Sequence, residues 1–116
     1  MSSRRIQRVN VLIKRELNQI FLRDFEFPDG VLVTITRAEA SSNLIQTKIY
    51  ISVLPEVQTE EIFRILNGNI YAIQQKINKR LRMRPVPKIK FVEEEKTKEA
   101  GRIEELLGKI RKKEGA

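Results

Sequence analysis

Ile6, Val9, Ile13, Leu17 and Ile20 recur at steps of three and four residues, which predicts a helix from about Arg4 to Leu22 with these side chains on one stripe. Arg4, Arg8 and Arg15 fall opposite Ile13, and Ser3 stands ready as a cap. The run Asp24-Phe-Glu-Phe-Pro-Asp-Gly30 then breaks the period with a proline and an Asp-Gly turn signal.

The period changes after Gly30. Val31, Val33 and Ile35 alternate with Leu32, Thr34 and Thr36, and Thr47, Ile49, Ile51 and Val53 alternate with Lys48, Tyr50 and Ser52. Two strands are expected, joined as an antiparallel hairpin through the turn-rich linker Glu39-Ala-Ser-Ser-Asn43. Pro55 closes the second strand, because proline donates no ladder hydrogen bond.

Thr59-Glu60-Glu61-Ile62 reads as a helix start, with Thr59 as the cap and two acids at the positive end of the dipole. Ile62, Ile65 and Leu66 supply its apolar side, the pattern stops at Asn67-Gly68-Asn69, and Ile70, Ile73, Ile77 and Leu81 resume it. Two short helices meeting at a break are predicted, the second running to about Arg84, where Pro85 restricts its predecessor. Lys88 to Val92 alternates as a third strand, with Ile89 and Phe91 on one side and Lys88 and Lys90 on the other. Beyond Glu93 the charge becomes dense and mixed, so residues 1–95 read as one domain and 96–116 as a charged tail. Within that tail Ile103, Leu106, Leu107 and Ile110 form an apolar seam that suits either a short amphipathic helix or a frayed end.

Charge changes this picture. From Ile62 to Val92 there is no acid, while Arg64, Lys76, Lys79, Arg80, Arg82, Arg84, Lys88 and Lys90 all lie there; the net charge of +8 equals the charge of that block. Solvated faces ordinarily mix both signs, so a block of one sign points to a polyanionic partner. A membrane surface would want tryptophan beside the lysines, and the chain has none; no apolar run is long enough to cross a bilayer. The opening Met-Ser-Ser-Arg-Arg places charges where a signal peptide needs apolar residues, so a cytoplasmic protein is expected.

With no cysteine and no histidine, thiol catalysis, disulfides, Cys/His zinc sites and His-based acid/base mechanisms are all excluded. The carboxylates cluster in the tail, and no catalytic constellation emerges. The expectation is a binder with no enzyme activity, no cofactor, no metal and no small-molecule substrate.

The order helix, strand, strand, helix, helix, strand describes an α+β domain, a three-stranded sheet with helices on one face, and matches the K-homology fold of the second topological type. The residues carry a closer resemblance. Val33-Thr-Ile-Thr36, then Leu44 and Lys48-Ile-Tyr-Ile-Ser-Val-Leu54, resemble the strand pair of the ribosome-binding factor A family. Leu66-Asn67, Lys79-Arg-Leu-Arg-Met-Arg84, Pro87 and Ile89-Lys-Phe91 are similar to that family's second motif. Arg8-Val9, Glu16-Leu17, Ile103 and Leu106-Leu107 extend the likeness to about residues 4–107.

The resemblance implies an assembly factor that binds the small (30S) ribosomal subunit and its 16S rRNA and assists late maturation, including processing at the rRNA 5′ end; a monomer is expected, although the sequence does not fix the oligomeric state. It also implies an interrupted helix pair in place of the Gly-x-x-Gly clamp of K-homology domains, here at Gly68 and Asn69. On the residues themselves, Lys76, Lys79, Arg80, Arg82 and Arg84 are expected to form a solvent-facing track along the second helix, continued by Lys88 and Lys90, with Arg4, Arg8 and Arg15 as a second rail. Asn67 and Gly68 read either as a helix cap or as a source of backbone amides for a phosphate. Tyr50 and Tyr71 are expected at the core or its boundary. Two other classes stay open: a protein-interaction module docking through the Ile103–Ile110 seam, and a DNA-binding domain using the same basic face.

Overall fold

In α1 (Ser3–Asp24) the stripe Ile13, Leu17 and Ile20 is fully buried and Val9 nearly so, because the helix lays that face on a sheet built from the next two elements. The structure, a computed structural model, describes residues 3–95. The tail 96–116 and its Ile103–Ile110 seam lie outside the described residues. β1 (Leu32–Ala40) and β2 (Gln46–Leu54) pair antiparallel. α2 (Thr59–Gly68) and α3 (Ile70–Arg80) follow, and β3 (Lys88–Glu93) pairs parallel to β2, giving the order β1-β2-β3. A parallel pair cannot be closed by a hairpin, so the helix pair serves as the crossover.

All three helices cover one face of the sheet. The alternation on β2 decides which: Thr47, Ile49, Ile51 and Val53 are buried under the helices, while Lys48, Tyr50 and Ser52 point the other way. Ile89 and Phe91 of β3 join the core, as do Ile62 and Leu66 of α2 and Ile73 and Ile77 of α3. Phe25 and Phe27, in the loop that only interrupts the pattern, pack against Phe21 with centroids 5.7 and 5.9 Å away, and Phe91 completes the cluster at 6.2 Å.

β1 runs four residues beyond the expected Thr36. Ile35 faces Ile51 but Arg37 faces Tyr50, so Thr36 is an extra residue, a bulge that moves the core-facing positions from Val33 and Ile35 to Ala38 and Ala40. Strict alternation fails there, and with it the signal by which the strand is read from the sequence. The Thr36 carbonyl accepts from Lys14 Nζ at 3.4 Å, and the Thr36 hydroxyl donates to Glu94 at 3.0 Å. Glu39 and Ala40 therefore belong to the strand, and the turn is tighter than expected. Ser41 and Asn43 side-chain oxygens accept from the Ile45 amide, and Leu44 adopts φ 59°.

Two helix boundaries also differ. Thr59 is not the cap of α2: a 3-10 turn at Glu56–Gln58 already places it in helical geometry, so its hydroxyl donates back to the Glu56 carbonyl at 2.7 Å. α3 ends at Arg80, not near Arg84. Leu81 turns extended (φ −91°, ψ 138°), which keeps its side chain buried while the chain approaches Pro85. Gln74 then fixes the start of β3, donating to the Pro87 carbonyl at 3.1 Å and accepting from the Ile89 amide at 2.9 Å.

Candidate nucleic-acid interface

The expected cationic track is divided by the fold. Lys76 Nζ lies 2.8 Å from Asp24 Oδ2, and Arg80 donates to Glu16 Oε2 and Gln19 Oε1, both at 3.2 Å. As the partners rise along α1 they descend along α3, so the two helices are antiparallel and these cations staple them. Arg64 is likewise taken by Glu61 one turn earlier, at 2.6 Å. Lys79 is exposed and makes no ion pair among the described residues.

Arg82 and Arg84 sit in the loop after α3 instead of on it. Arg84 donates to the Leu81 and Met83 carbonyls at 2.8 and 2.6 Å, which satisfies backbone groups the lost helical turn would have used. Arg82 is exposed and makes no ion pair among the described residues. On α1, Arg4 and Arg8 line an open groove of about 510 Å³ with Gln7, Val11 and Leu12, and Arg15 is exposed with Glu16 3.8 Å away.

Lys88 and Lys90 belong to the opposite side of the sheet, because their neighbours Ile89 and Phe91 face the helices. Lys48 of β2 stands directly beside Lys90, and Gln46 beside Lys88. That outer face also carries a network absent from the expectations. Arg37 lies 3.8 Å over the Tyr50 ring, pairs with Glu39, and donates to Glu94 at 3.1 and 3.2 Å, while the Tyr50 hydroxyl donates to Glu39 at 3.2 Å. Burial pushes the Glu94 carboxyl up, but bonds from Arg37 and Thr36 and the Arg37 charge outweigh it and hold the group below its ordinary range.

These faces meet at one end of the molecule. The Ala40 amide donates to Asn10 Oδ1 at 2.7 Å, the Lys88 amide donates to the Ile45 carbonyl at 2.9 Å, and Arg80 reaches Glu16. The hairpin turn, the loop after α3 and the N-terminal half of α1 therefore converge, bringing Arg8, Arg82, Lys48 and Lys88 to the same end. The other end is acidic: Glu56, Glu60 and Glu93 line a groove of about 560 Å³ with Val57, Thr59 and Phe63. The charge of the described residues is therefore polarised from one end of the fold to the other.

The break between α2 and α3 lies at Asn69, with φ −110°, so no left-handed residue is needed. Gly68 is the last residue of α2, and a Cβ there would meet nothing within 4 Å. The Asn69 amide donates to the Leu66 carbonyl at 3.1 Å, and its side chain donates to the Ile65 carbonyl at 2.7 Å. That backbone amide is already used. Asn67 and Gly68 are exposed beside it, and Tyr71 is 76% exposed, not at the core boundary as expected. Tyr50 does lie at a boundary, on the outer face.

Sequence reasoning missed Lys48 and Arg37 as parts of this surface. Lys48 was accessible from the alternation of β2; Arg37 was not, since the bulge decides its side. Among the described residues no group of three or more His, Cys, Asp or Glu is placed to hold a metal ion, and no helix is long and apolar enough to cross a membrane.

A family model described as ribosome-binding factor A matches residues 5–107. The ribosome-binding factor A of Thermodesulfovibrio yellowstonii is 34% identical over 109 residues, covering 94% of this chain and 92% of that protein. That of Nitrosococcus oceani is 31% identical over 111 residues, covering 95% and 87%. Among solved structures, the crystal structure of ribosome-binding factor A from Thermus thermophilus superposes with a TM-score of 0.64 at 20% identity, covering 76% of this chain and 93% of that one. A homology model of the Thermus thermophilus factor, fitted into a cryo-EM map of its complex with the 30S subunit, gives 0.62 at 23%, covering 72% and 88%.

Proposed function

Because the chain belongs to the ribosome-binding factor A family, we propose that it is an assembly factor that binds the small ribosomal subunit through 16S rRNA and assists its late maturation, including processing at the rRNA 5′ end. It works by binding, without chemistry of its own. The observation that carries this reading is the electrical polarity of the fold: cations from α1, the loop after α3 and the sheet that make no ion pair among the described residues gather at one end, with the acidic groove at the other. Structured RNA presents phosphate rails and shallow grooves that such an end grips by shape and charge. The Thermus thermophilus factor whose fold this chain shares has been fitted in a complex with the 30S subunit, which supports the same partner here.

Within that reading Arg4, Arg8, Arg15, Lys79 and Arg82 are the contacts on the helical side, and Lys88 and Lys90 those on the sheet side. Lys76, Arg80 and Arg84 shape the surface mainly by holding α1, α3 and the following loop in place, while Asn67 and Gly68 stand at the opposite end of α3 from that loop. Co-sedimentation with immature small subunits tests the proposal. Arg4→Gln with Arg8→Gln is expected to weaken binding and to reduce its salt dependence. Binding that is indifferent to salt, or duplex DNA competing as well as rRNA, refutes it.

A further inference from the structure

We propose that the outer face of the sheet is a second phosphate-binding surface, formed by Lys48, Lys88 and Lys90, which grips a stretch of RNA backbone separate from the one held by the helical side. The inference rests on the RNA-binding reading above. Its starting point is a pairing that is unfavourable in the protein alone.

Lys48 and Lys90 are direct neighbours on β2 and β3, strands that run about 4.8 Å apart. Lys88 lies two residues from Lys90 on the same face, about 7 Å along the strand. Like charges set side by side in a sheet repel. Carboxylates are present on this face, yet none of them forms an ion pair with these lysines among the described residues. Glu39, the antiparallel partner of Lys48, is held by Arg37 and the Tyr50 hydroxyl, and Glu94 is held by Arg37 and Thr36. All three lysines are exposed and make no ion pair among the described residues.

Arg37 thus draws both carboxylates of the face toward itself. Although the carboxylate pair keeps a negative charge beside Lys48, none of the triangle of three ammonium groups forms an ion pair among the described residues, and the face stays net positive. An RNA phosphate placed over it would relieve the repulsion as well as gain attraction. The helices lie on the other side of the sheet, so no single phosphate reaches both this triangle and the Arg4/Arg8 groove. The basic end therefore inserts between two backbone runs and holds them apart by the thickness of one sheet and one helix layer. A protein gripping two RNA segments at once fixes their relative position, which is a physical route by which a binder without chemistry can assist assembly.

The test uses the full chain and immature small subunits. A triple variant Lys48→Gln, Lys88→Gln, Lys90→Gln is expected to lose about tenfold or more in affinity at physiological salt, and the slope of log affinity against log salt is expected to fall by roughly 2 to 3. Lys48→Arg should retain binding. In the free protein, Lys48→Gln alone is expected to raise the thermal midpoint by about a few degrees, because it removes the repulsion from Lys90. A triple variant with wild-type affinity and slope overturns the second surface while leaving the family reading intact. A wild-type chain that does not co-sediment with subunits sinks both, and a lowered midpoint for Lys48→Gln removes the premise of an unrelieved charge pair.

Discussion

Arg80→Ala should cost stability although Arg80 lies in the most basic stretch of the chain. Its guanidinium donates to Glu16 and Gln19 across the α1–α3 seam, where the side chains of Arg80 and Glu16 are only 29% and 16% exposed. A hydrogen bond to a charged group contributes about 1.5–3 kcal/mol, and a fully exposed ion pair about 0–1. The seam lies between those limits. Arg15, 3.8 Å from Glu16, stays behind as a weaker partner, so the carboxylate is not abandoned. We expect a loss of about 1.5 kcal/mol, equivalent to roughly 6–12 °C in thermal midpoint for a domain of this size. Urea unfolding followed by circular dichroism measures it, with the denaturant slope unchanged if the native fold is kept. Arg82→Ala is the control, exposed and without an ion pair among the described residues, and should stay within about 0.5 kcal/mol of wild type. Combining Arg80→Ala with Glu16→Gln should show a coupling of about 1 kcal/mol. Should Arg80→Ala prove as harmless as Arg82→Ala, or the coupling vanish, the claim that this cation holds α1 on α3 is wrong. The result also bears on binding studies, because reversing the charges of Arg80, Arg82 and Arg84 together mixes the fold contacts of Arg80 and Arg84 with the exposed Arg82.

Gly68→Ala should stabilise the protein by about 0.5–1 kcal/mol, since Gly68 is helical at negative φ and its Cβ would meet open space; a lowered urea midpoint would contradict the geometry of the break. Thr47→Val should raise stability by about 1 kcal/mol in the same assay, because the Thr47 hydroxyl is fully buried without a hydrogen-bond partner among the described residues and valine fills the same space. Acid should destabilise the fold through Glu94 and Glu61, both held below their ordinary range, Glu61 chiefly by its bond from Arg64. A carboxyl depressed in the folded state contributes stability above its unfolded pKa and loses it as pH falls through the folded one. Thermal midpoints should therefore drop below about pH 4.3. Glu94→Gln should show a lower midpoint at neutral pH and a shallower acid decline, and an unchanged acid profile would remove Glu94 from the account.

The elements that the sequence revealed well were those whose period is set by burial. The stripe of α1, the alternation of β2 and that of β3 all predict which side chains reach the core, because a one-residue slip would expose each of them. The errors fall where a local competitor overrides the period. Thr36 inserts into β1 and reverses the facing of everything after it, and no residue type announces that. Leu81 leaves the helical path so that its side chain stays in the core ahead of Pro85, which moves Arg82 and Arg84 off α3. Phe25 and Phe27 look like an interruption along the chain and are packed, partly buried, against the core in space.

The cationic block shows why charge is harder to place than apolar pattern. Burial tells an isoleucine where to point; a lysine is stable anywhere water reaches, so its side is inherited from its neighbours. Ile89 and Phe91 send Lys88 and Lys90 to the outer face, whereas Glu16 and Asp24, far away in sequence, pull Arg80 and Lys76 inward. A run of one sign along the chain therefore becomes four populations: cations that hold helices together, Arg64 paired within its own helix, cations that cap a loop, and cations that make no ion pair among the described residues. Only the last group has its electrostatic attraction unspent, and those residues are brought to one end by the antiparallel packing of α1 on α3 and by the parallel return of β3 beside β2. The polarity of the molecule is thus a product of topology. Any change that shifts the register of β3 by one residue would carry Lys88 and Lys90 into the core side and abolish the outer surface, even though composition and net charge stayed the same.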